Sequence, residues 1–376
     1  MKFLHTADWH LGKLFYGTYL TGEQEWILKN GFLPLLDEER PDVVLLSGDV
    51  YDRSVPPAEA VELFDEMISE ICVRRKIPFL VISGNHDSRE RLSFASRLLA
   101  GAGLYMCGDL SRLSPIRLSD EYGDVYFLPM PYAETADVRH ALSVEVSNRE
   151  EAMAALSAHL LESVPAGART ICLAHDFIVG GEPSESERPL AVGGADGISG
   201  DIFAPFAYTA LGHLHGPQKA AGQENIRYSG SLLKYSFGEA DRKKGVILGN
   251  IDGAGAVETN FISLKPRHDV RKISGTFDAL MAREDPAPED FLLAELTDEG
   301  PVIDAMARLR KKYPNMAAIQ MNRILREDSG ARVTVGRRVD MMDMLDAFSE
   351  EFCARKLTDE EKALFTEILK ETEDEA

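Results

Sequence analysis

Short, wholly apolar runs alternate with amphipathic stretches through the first hundred or so residues. Phe3-Leu4-His5-Thr6 predicts a strand that ends before Asp8. From Glu23 to Glu39, Trp26, Ile27, Phe32, Leu35 and Leu36 recur at helical spacing. Val43-Val44-Leu45-Leu46 is a continuous apolar strand running into Gly48-Asp49. Pro56-Pro57 then opens a helix to about Arg75, with Val61, Leu63, Phe64, Met67, Ile68 and Ile71 inside. Phe79-Leu80-Val81-Ile82 predicts a third strand, ending at Gly84-Asn85-His86-Asp87. Strands without polar alternation are buried on both faces, so this β-α-β-α-β series predicts a parallel α/β sheet.

After about residue 120 strands dominate. Val125–Leu128, Ile171–Leu173, Tyr208–Leu211, Ile226–Tyr228 and Val246–Leu248 predict a second sheet, with a helix over 149–162 and a Gly/Ser/Pro-rich loop over 180–200. Two packed sheets with helices outside are the expected body. From residue 268 the order is strand (Val270–Ile273), helix (Phe277–Ala282), strand (Phe291–Leu296), helix (Val302–Tyr313) and strand (Ala317–Met321), a small α+β unit. Residues 341–376 carry 12 acidic and 4 basic residues. There Met341, Met344, Leu345, Phe348 and Phe352 form one helical stripe, and a capping box at Thr358-Asp359-Glu360-Glu361 precedes a helix with Leu364, Phe365, Ile368 and Leu369. These helices either pack on their own domain or dock a partner. The expected domains are 1–265, 266–338 and 339–376.

A chain of 376 residues exceeds one ordinary domain. No apolar run approaches the roughly 18–20 residues that span a bilayer. No apolar segment with a small-residue cleavage site follows Met1, so the expectation is a cytoplasmic protein without a membrane contact. Cys72, Cys107, Cys172 and Cys353 form no Cys-x-x-Cys pair, which argues against a disulfide framework or a zinc ribbon. The net charge of −21 changes the picture more. A broad nucleic-acid-binding surface is ordinarily basic. Either the substrate is not nucleic acid, or attraction comes from bound metals and a partner.

The candidate chemistry lies at the strand ends. Asp8-Trp9-His10, Gly48-Asp49, Gly84-Asn85-His86-Asp87, His175 and Gly212-His213-Leu214-His215 hold five of the nine histidines. Asp8, His10, Asp49, Asn85, His175, His213 and His215 supply enough oxygen and nitrogen ligands for two divalent cations. The two-residue spacing of Asp8/His10 and of His213/His215 would put both side chains on one side of an extended backbone. Asp49 has two oxygens and can bridge both ions, and Asn85 ligates without adding charge. Two divalent ions outweigh the two carboxylates, leaving a positive centre in a low-dielectric cleft that attracts phosphate. Mixed nitrogen and oxygen donors without thiolate suit Mn²⁺, Fe or Zn²⁺ better than Ca²⁺ or Mg²⁺.

Together these motifs resemble the calcineurin-like metallophosphoesterase superfamily. Further stretches, His5 to Gly12, Ser47 to Asp52, Ser186-Glu187-Arg188-Pro189-Leu190 with Val192-Gly193-Gly194, Ala210 to Gln218 and Tyr228 to Ser231, are similar to the SbcD family of bacterial nuclease subunits. The resemblance implies an α/β fold: a two-sheet metallophosphoesterase sandwich flanked by helices, a small α+β capping domain, and C-terminal helices. It implies a DNA exonuclease and hairpin endonuclease using two divalent ions, with Mn²⁺ expected. Asp8, His10, Asp49 and His215 would hold one ion, and Asp49, Asn85, His175 and His213 the other. His86 would face the phosphate as a proton donor or contact, with Asp87 orienting its ring. An SbcC-like ATPase would be the partner, docked through 339–376 by the base of its coiled coil. A homodimer within a heterotetramer would form through helices at 57–75 and 89–100, using Phe64, Met67, Leu92, Phe94 and Leu98. Two departures stand out: Asp52 sits where some relatives carry a histidine, and Gly216 where many carry a basic residue. A small-molecule or cyclic-nucleotide phosphodiesterase and a non-catalytic scaffold subunit are the rival readings.

Overall fold

Alternation within the buried strands decides which way each side chain faces. In the computed structural model, Phe3, Val43, Leu45, Leu80 and Ile82 point into a layer shared with Val125, Phe127, Ile171, Leu173, Tyr208 and Ala210. Their neighbours Leu4, Val44, Leu46, Phe79 and Val81 point the other way, onto helices. Each fully buried aliphatic side chain of this kind contributes roughly 1.5–3 kcal/mol. The structure describes residues 1–187 and 197–321, and isolated positions between 349 and 365. The chain divides into two compact units, Met1–Arg323 and Ile324–Ala376.

In the first unit two six-stranded sheets lie face to face. The first runs in the order Val257–Ser263, Gly245–Ile251, Lys2–Thr6, Val43–Ser47, Phe79–Ile82, Leu104–Cys107. Its last four strands are parallel. The second runs Gln218–Ala220, Gln223–Tyr228, Tyr208–Gly212, Arg169–His175, Gly123–Met130, Ile116–Asp120. The outer face of the first sheet is covered by helical turns through Thr21–Glu39 and Ala58–Arg74, and that of the second by Arg149–Leu161. The parallel strands end on one side of the molecule, where open α/β sheets place their sites.

Several expectations need correction. Gly245–Ile251 belongs to the first sheet, not the second, because it pairs antiparallel with Lys2–Thr6 and closes an edge that would otherwise stay open. The helix expected at 23–39 contains a π-helical stretch, Leu28–Phe32, just ahead of Pro34, whose missing N–H cannot continue the regular ladder. The helix from Ala58 likewise finishes in a π-helical stretch, Ser69–Arg74. The helix expected over Val302–Tyr313 spans only Ala305–Arg310. The segment 89–100 is two short helices, Arg89–Leu92 and Ser96–Leu99, broken by a left-handed Ala95 (φ 57°). Phe64, Met67 and Leu92 are core residues, whereas Phe94 and Leu98 are about four-fifths exposed (80% and 81%).

The segment after residue 266 forms a parallel three-stranded sheet, Val270–Gly275, Phe291–Leu296 and Met316–Met321. It has its own core around Ile273, Phe277, Leu292, Leu309 and Tyr313. Val270, Phe291 and Leu293 join the core beneath the first sheet's helices instead. In the second unit, the Glu361 carboxylate accepts the Thr358 N–H at 2.9 Å, and the Glu361 N–H donates to Thr358 Oγ1 at 3.3 Å, a capping box. The stripe of Met341, Met344, Leu345, Phe348 and Phe352 lies outside the described residues, as do Ile368, Leu369 and the motif residues Arg188 to Gly194.

Candidate metal centre

Asp8 and His10 follow the first strand of the chain, Asp49 the Val43–Ser47 strand, and Asn85 to Asp87 the Phe79–Ile82 strand. From the opposite sheet come His175, at the end of Arg169–His175, and His213 and His215, just beyond Tyr208–Gly212. All seven nominated ligands converge here. Asp49 Oδ2 is 3.5 Å from both His10 Nε2 and His175 Nε2. The Nε2 atoms of His10 and His215 stand 3.0 Å apart. Asn85 Oδ1 lies 3.0 Å from His175 Nε2 and 3.3 Å from His213 Nδ1. Asp8 Oδ1 is 3.9 Å from His175 Nδ1. The donors thus form two groups with Asp49 between them.

The backbone that achieves this is not the extended one expected from the two-residue spacings. Asp8 (φ 53°), His10 (φ 45°), Asp49 (φ 46°) and His213 (φ 103°) all have positive φ. Each such residue costs on the order of 1–3 kcal/mol and persists only where its surroundings impose it. Local hydrogen bonds do so. The His10 N–H donates to the Asp49 carbonyl at 2.9 Å, and the His213 N–H donates to Asp8 Oδ1 at 2.9 Å. Gly84 is required by space: a Cβ there would collide with the Asp49 carboxylate and its backbone nitrogen.

Burial sets the charges. Asp8 is fully buried, which pushes its carboxyl up to about 7 despite the nearby imidazoles of His175 and His215. Burial also works to raise Asp49, but His175, His10 and His86 hold it well below the usual carboxylate range. Burial keeps His10 and His213 well below the usual histidine value, in the neutral form that binds metals. His175 goes the other way, up to about 9, because Asp49 and Asp8 outweigh its burial. Among the described residues neither Asp8 nor Asp49 has a lysine or arginine within ion-pair distance. Nitrogen and oxygen donors facing one another, two of them carboxylates with neither lysine nor arginine beside them, are what divalent cations require. His5 marks the contrast. It is buried too, but it is satisfied by the Tyr208 hydroxyl at 3.0 Å and the Leu211 carbonyl at 3.1 Å, as a core histidine is.

His86 Nε2 faces the same space, 3.9 Å from Asp49 Oδ2, and its Nδ1 lies 2.8 Å from the Asp52 carbonyl oxygen. Asp87 accepts the N–H groups of Gly84 (2.9 Å), Tyr51 (3.0 Å) and Val50 (3.1 Å), so it ties the two ligand loops together. A carbonyl thus holds the His86 ring where the Asp87 carboxylate was expected. Asp52 also pairs its carboxylate with Lys13 at 2.9 Å. The space that a side chain at Gly216 would fill is taken by the Arg242 guanidinium, which makes no ion pair among the described residues. Residues to which the motif reading gave no role surround His215: Glu187 accepts its N–H at 2.7 Å, and Lys244 donates to its carbonyl at 2.6 Å. Their signal in the sequence was slight, since a buried Lys244 looks like one more residue of the Arg242-Lys243-Lys244 run.

Residues 1–182 match the family model of calcineurin-like phosphoesterases. Residues 266–356 match the SbcD C-terminal model, described as a type 5 capsule protein repressor C-terminal domain. Over 323 residues the chain is 33% identical to the SbcD subunit of the SbcCD nuclease of Staphylococcus epidermidis, covering 85% of each protein. The chain belongs to the SbcD family. As an SbcD-family protein with a metallophosphoesterase body, it is a metal-dependent phosphodiesterase that works with divalent cations. Remote likenesses include the protein TT1561 of Thermus thermophilus (15% identity, TM-score 0.39, 69% of this chain and 98% of that one). A dimetal phosphatase from Danio rerio is similarly distant (14%, 0.38, 70% and 99%). Among the described residues of this SbcD-family chain, no helix is long and apolar enough to cross a membrane.

Proposed function

We propose that this chain is the nuclease subunit of an SbcCD-type complex, cutting DNA phosphodiesters as an exonuclease and hairpin endonuclease with two Mn²⁺ ions. The observation that carries the reading is the Asp49 carboxylate, placed at equal distance from an imidazole of each ligand group. Asp8, His10, Asp49 and His215 would hold one ion, and Asp49, Asn85, His175 and His213 the other. When bound, the pair supplies Lewis-acid stabilisation of charge on a phosphate in in-line displacement. The chain's own groups do the rest. The carbonyl of Asp52 can only accept, so the Nδ1 of His86 carries a proton, and in the doubly protonated imidazolium its Nε2 gives a second proton to the leaving oxygen. Asp87 keeps His86 and Asp49 in register through the backbone. Arg242, whose guanidinium takes the space over Gly216, steadies a phosphate oxygen in place of the side chain that Gly216 lacks.

The charge of −21 fits a subunit that meets DNA through its metals and a basic partner. Residues 1–265 form the nuclease domain, 266–338 the cap, and 339–376 the segment that docks on the base of an SbcC-like ATPase coiled coil in the cytoplasm. The test is cleavage by the purified chain, titrated with Mn²⁺, of linear duplex, single-stranded and hairpin DNA and of cyclic nucleotides, with and without the ATPase. Cleavage of linear and hairpin DNA, restricted by ATP when the partner is added, is expected. Rapid hydrolysis of cyclic nucleotides with DNA left intact would overturn the reading in favour of a small-molecule phosphodiesterase.

A further inference from the structure

His215 is held by a hydrogen-bond chain whose direction is set at its far end. Its Nδ1 lies 2.6 Å from Ser186 Oγ, and Ser186 Oγ makes a short hydrogen bond to Glu239 Oε1. Glu239 is completely buried and ion-paired with buried Lys244. It also accepts from the Tyr235 N–H (3.3 Å) and the Ser236 hydroxyl (3.3 Å). A carboxylate facing a lysine and several donors is an acceptor only. Ser186 has one proton and must give it to Glu239, since otherwise its lone pairs would face the carboxylate at close range. Ser184 has a better acceptor in Glu187 Oε2, at 2.6 Å, so it does not compete for this place. What remains for His215 Nδ1 is to donate to Ser186.

We infer that Ser186 and Glu239 are positioning residues that lock His215 as the Nδ1–H tautomer, leaving the Nε2 lone pair bare towards Asp8 and His10. The Nε2 nitrogen is the one that stands 3.0 Å from His10 Nε2, among the donors of the first ligand group. A metal-binding imidazole commonly has its other nitrogen held by an acceptor, which fixes ring and tautomer together. Here the acceptor is a hydroxyl polarised by a carboxylate. Ser186 and Glu239 come from segments 53 residues apart and reach His215 from beyond the metal cage. The sequence stretch Ser186-Glu187 thereby gains a role: the hydroxyl fixes the ring and the Glu187 carboxylate fixes the backbone of the same ligand.

This inference rests on the reading that His215 holds a divalent cation, and its test separates the two. Metal-free protein labelled with ¹⁵N-histidine is examined by NMR, and Mn²⁺ binding is followed by calorimetry without DNA. The wild type is expected to show His215 with protonated Nδ1 and bare Nε2. Ser186→Ala is expected to lose that tautomer preference and to weaken one Mn²⁺ site by about 10- to 100-fold, leaving the other near its original affinity. Ser186→Thr, which keeps the hydroxyl, restores both. A wild-type His215 protonated at Nε2, or Ser186→Ala with unchanged tautomer and affinity, overturns the inference. A wild-type chain that takes up no Mn²⁺ overturns the metal-centre reading itself.

Discussion

Asp8 at the metal centre and Asp285 beside the three-stranded sheet are the same residue type in opposite circumstances. Asp8 is buried among imidazoles, and burial drives its carboxyl up to about 7. Burial would raise Asp285 as well, but Arg283 at 2.6 Å, the Ala287 N–H and Arg271 at 2.8 Å bring it down to about 2. One carboxylate is neutralised by its own chain and the other is not. The three-stranded unit spends its charges on folding. The metal centre sets its carboxylates among imidazoles, without a lysine or arginine and in strained backbone, as ligands for divalent cations. Stability and function therefore separate by region, and substitutions can test that separation.

The largest effect is expected at Asp49. Asp49→Asn should lower phosphodiester cleavage by about 10³-fold or more, because both ligand groups lose their shared oxygen. Asp8→Asn, by contrast, should leave the metal-free protein as stable as before or more so above about pH 7, since burial works against the Asp8 charge there. Kinetics and thermal melts in chelator report both, and a metal-free Asp8→Asn variant much less stable than wild type would break the contrast. Asp285→Asn should do the reverse. It should cost about 1–3 kcal/mol in urea melts at neutral pH and leave Mn²⁺ affinity alone. The sign with pH follows from the lowered folded-state value. The contribution of Asp285 is complete above the unfolded pKa of about 4 and fades as pH falls through about 2. Wild type and variant should accordingly converge in stability between pH 4 and 2, within roughly that window. The smallest effect on folding is expected at the exposed pair Phe94 and Leu98. Changing both to Ser should move stability by no more than about 0.5 kcal/mol. If the segment from 89 to 100 joins two copies, sedimentation will show the variant as a monomer, and an unchanged dimer would place that contact elsewhere.

Much of the centre was legible before any coordinates. Aspartate, asparagine and histidine directly after apolar runs announce ligands at strand ends, because periodicity marks the strand and the polar residue marks where burial stops. The parallel core from Phe3 to Ile82 was legible for the same reason. The backbone of the ligands was not. Two-residue spacing suggested extended chain, yet Asp8, His10 and Asp49 are left-handed, a conformation imposed by hydrogen bonds between loops rather than by neighbours in sequence. Phe64 and Met67 show a related limit. An apolar helical face looks the same whether it covers a sheet or another molecule, and here it covers the sheet.

The identity of the donors, their order and the apolar strands that carry them were determined by sequence alone, because residue chemistry and local burial are written position by position. Tertiary structure decided which segments meet. It put Gly245–Ile251 beside Lys2–Thr6, Arg242 in the space over Gly216, and Ser186 with Glu239 behind His215. Such partners are scattered along the chain, and each is chosen only when packing of the two sheets brings an unmet hydrogen bond or an empty volume against it.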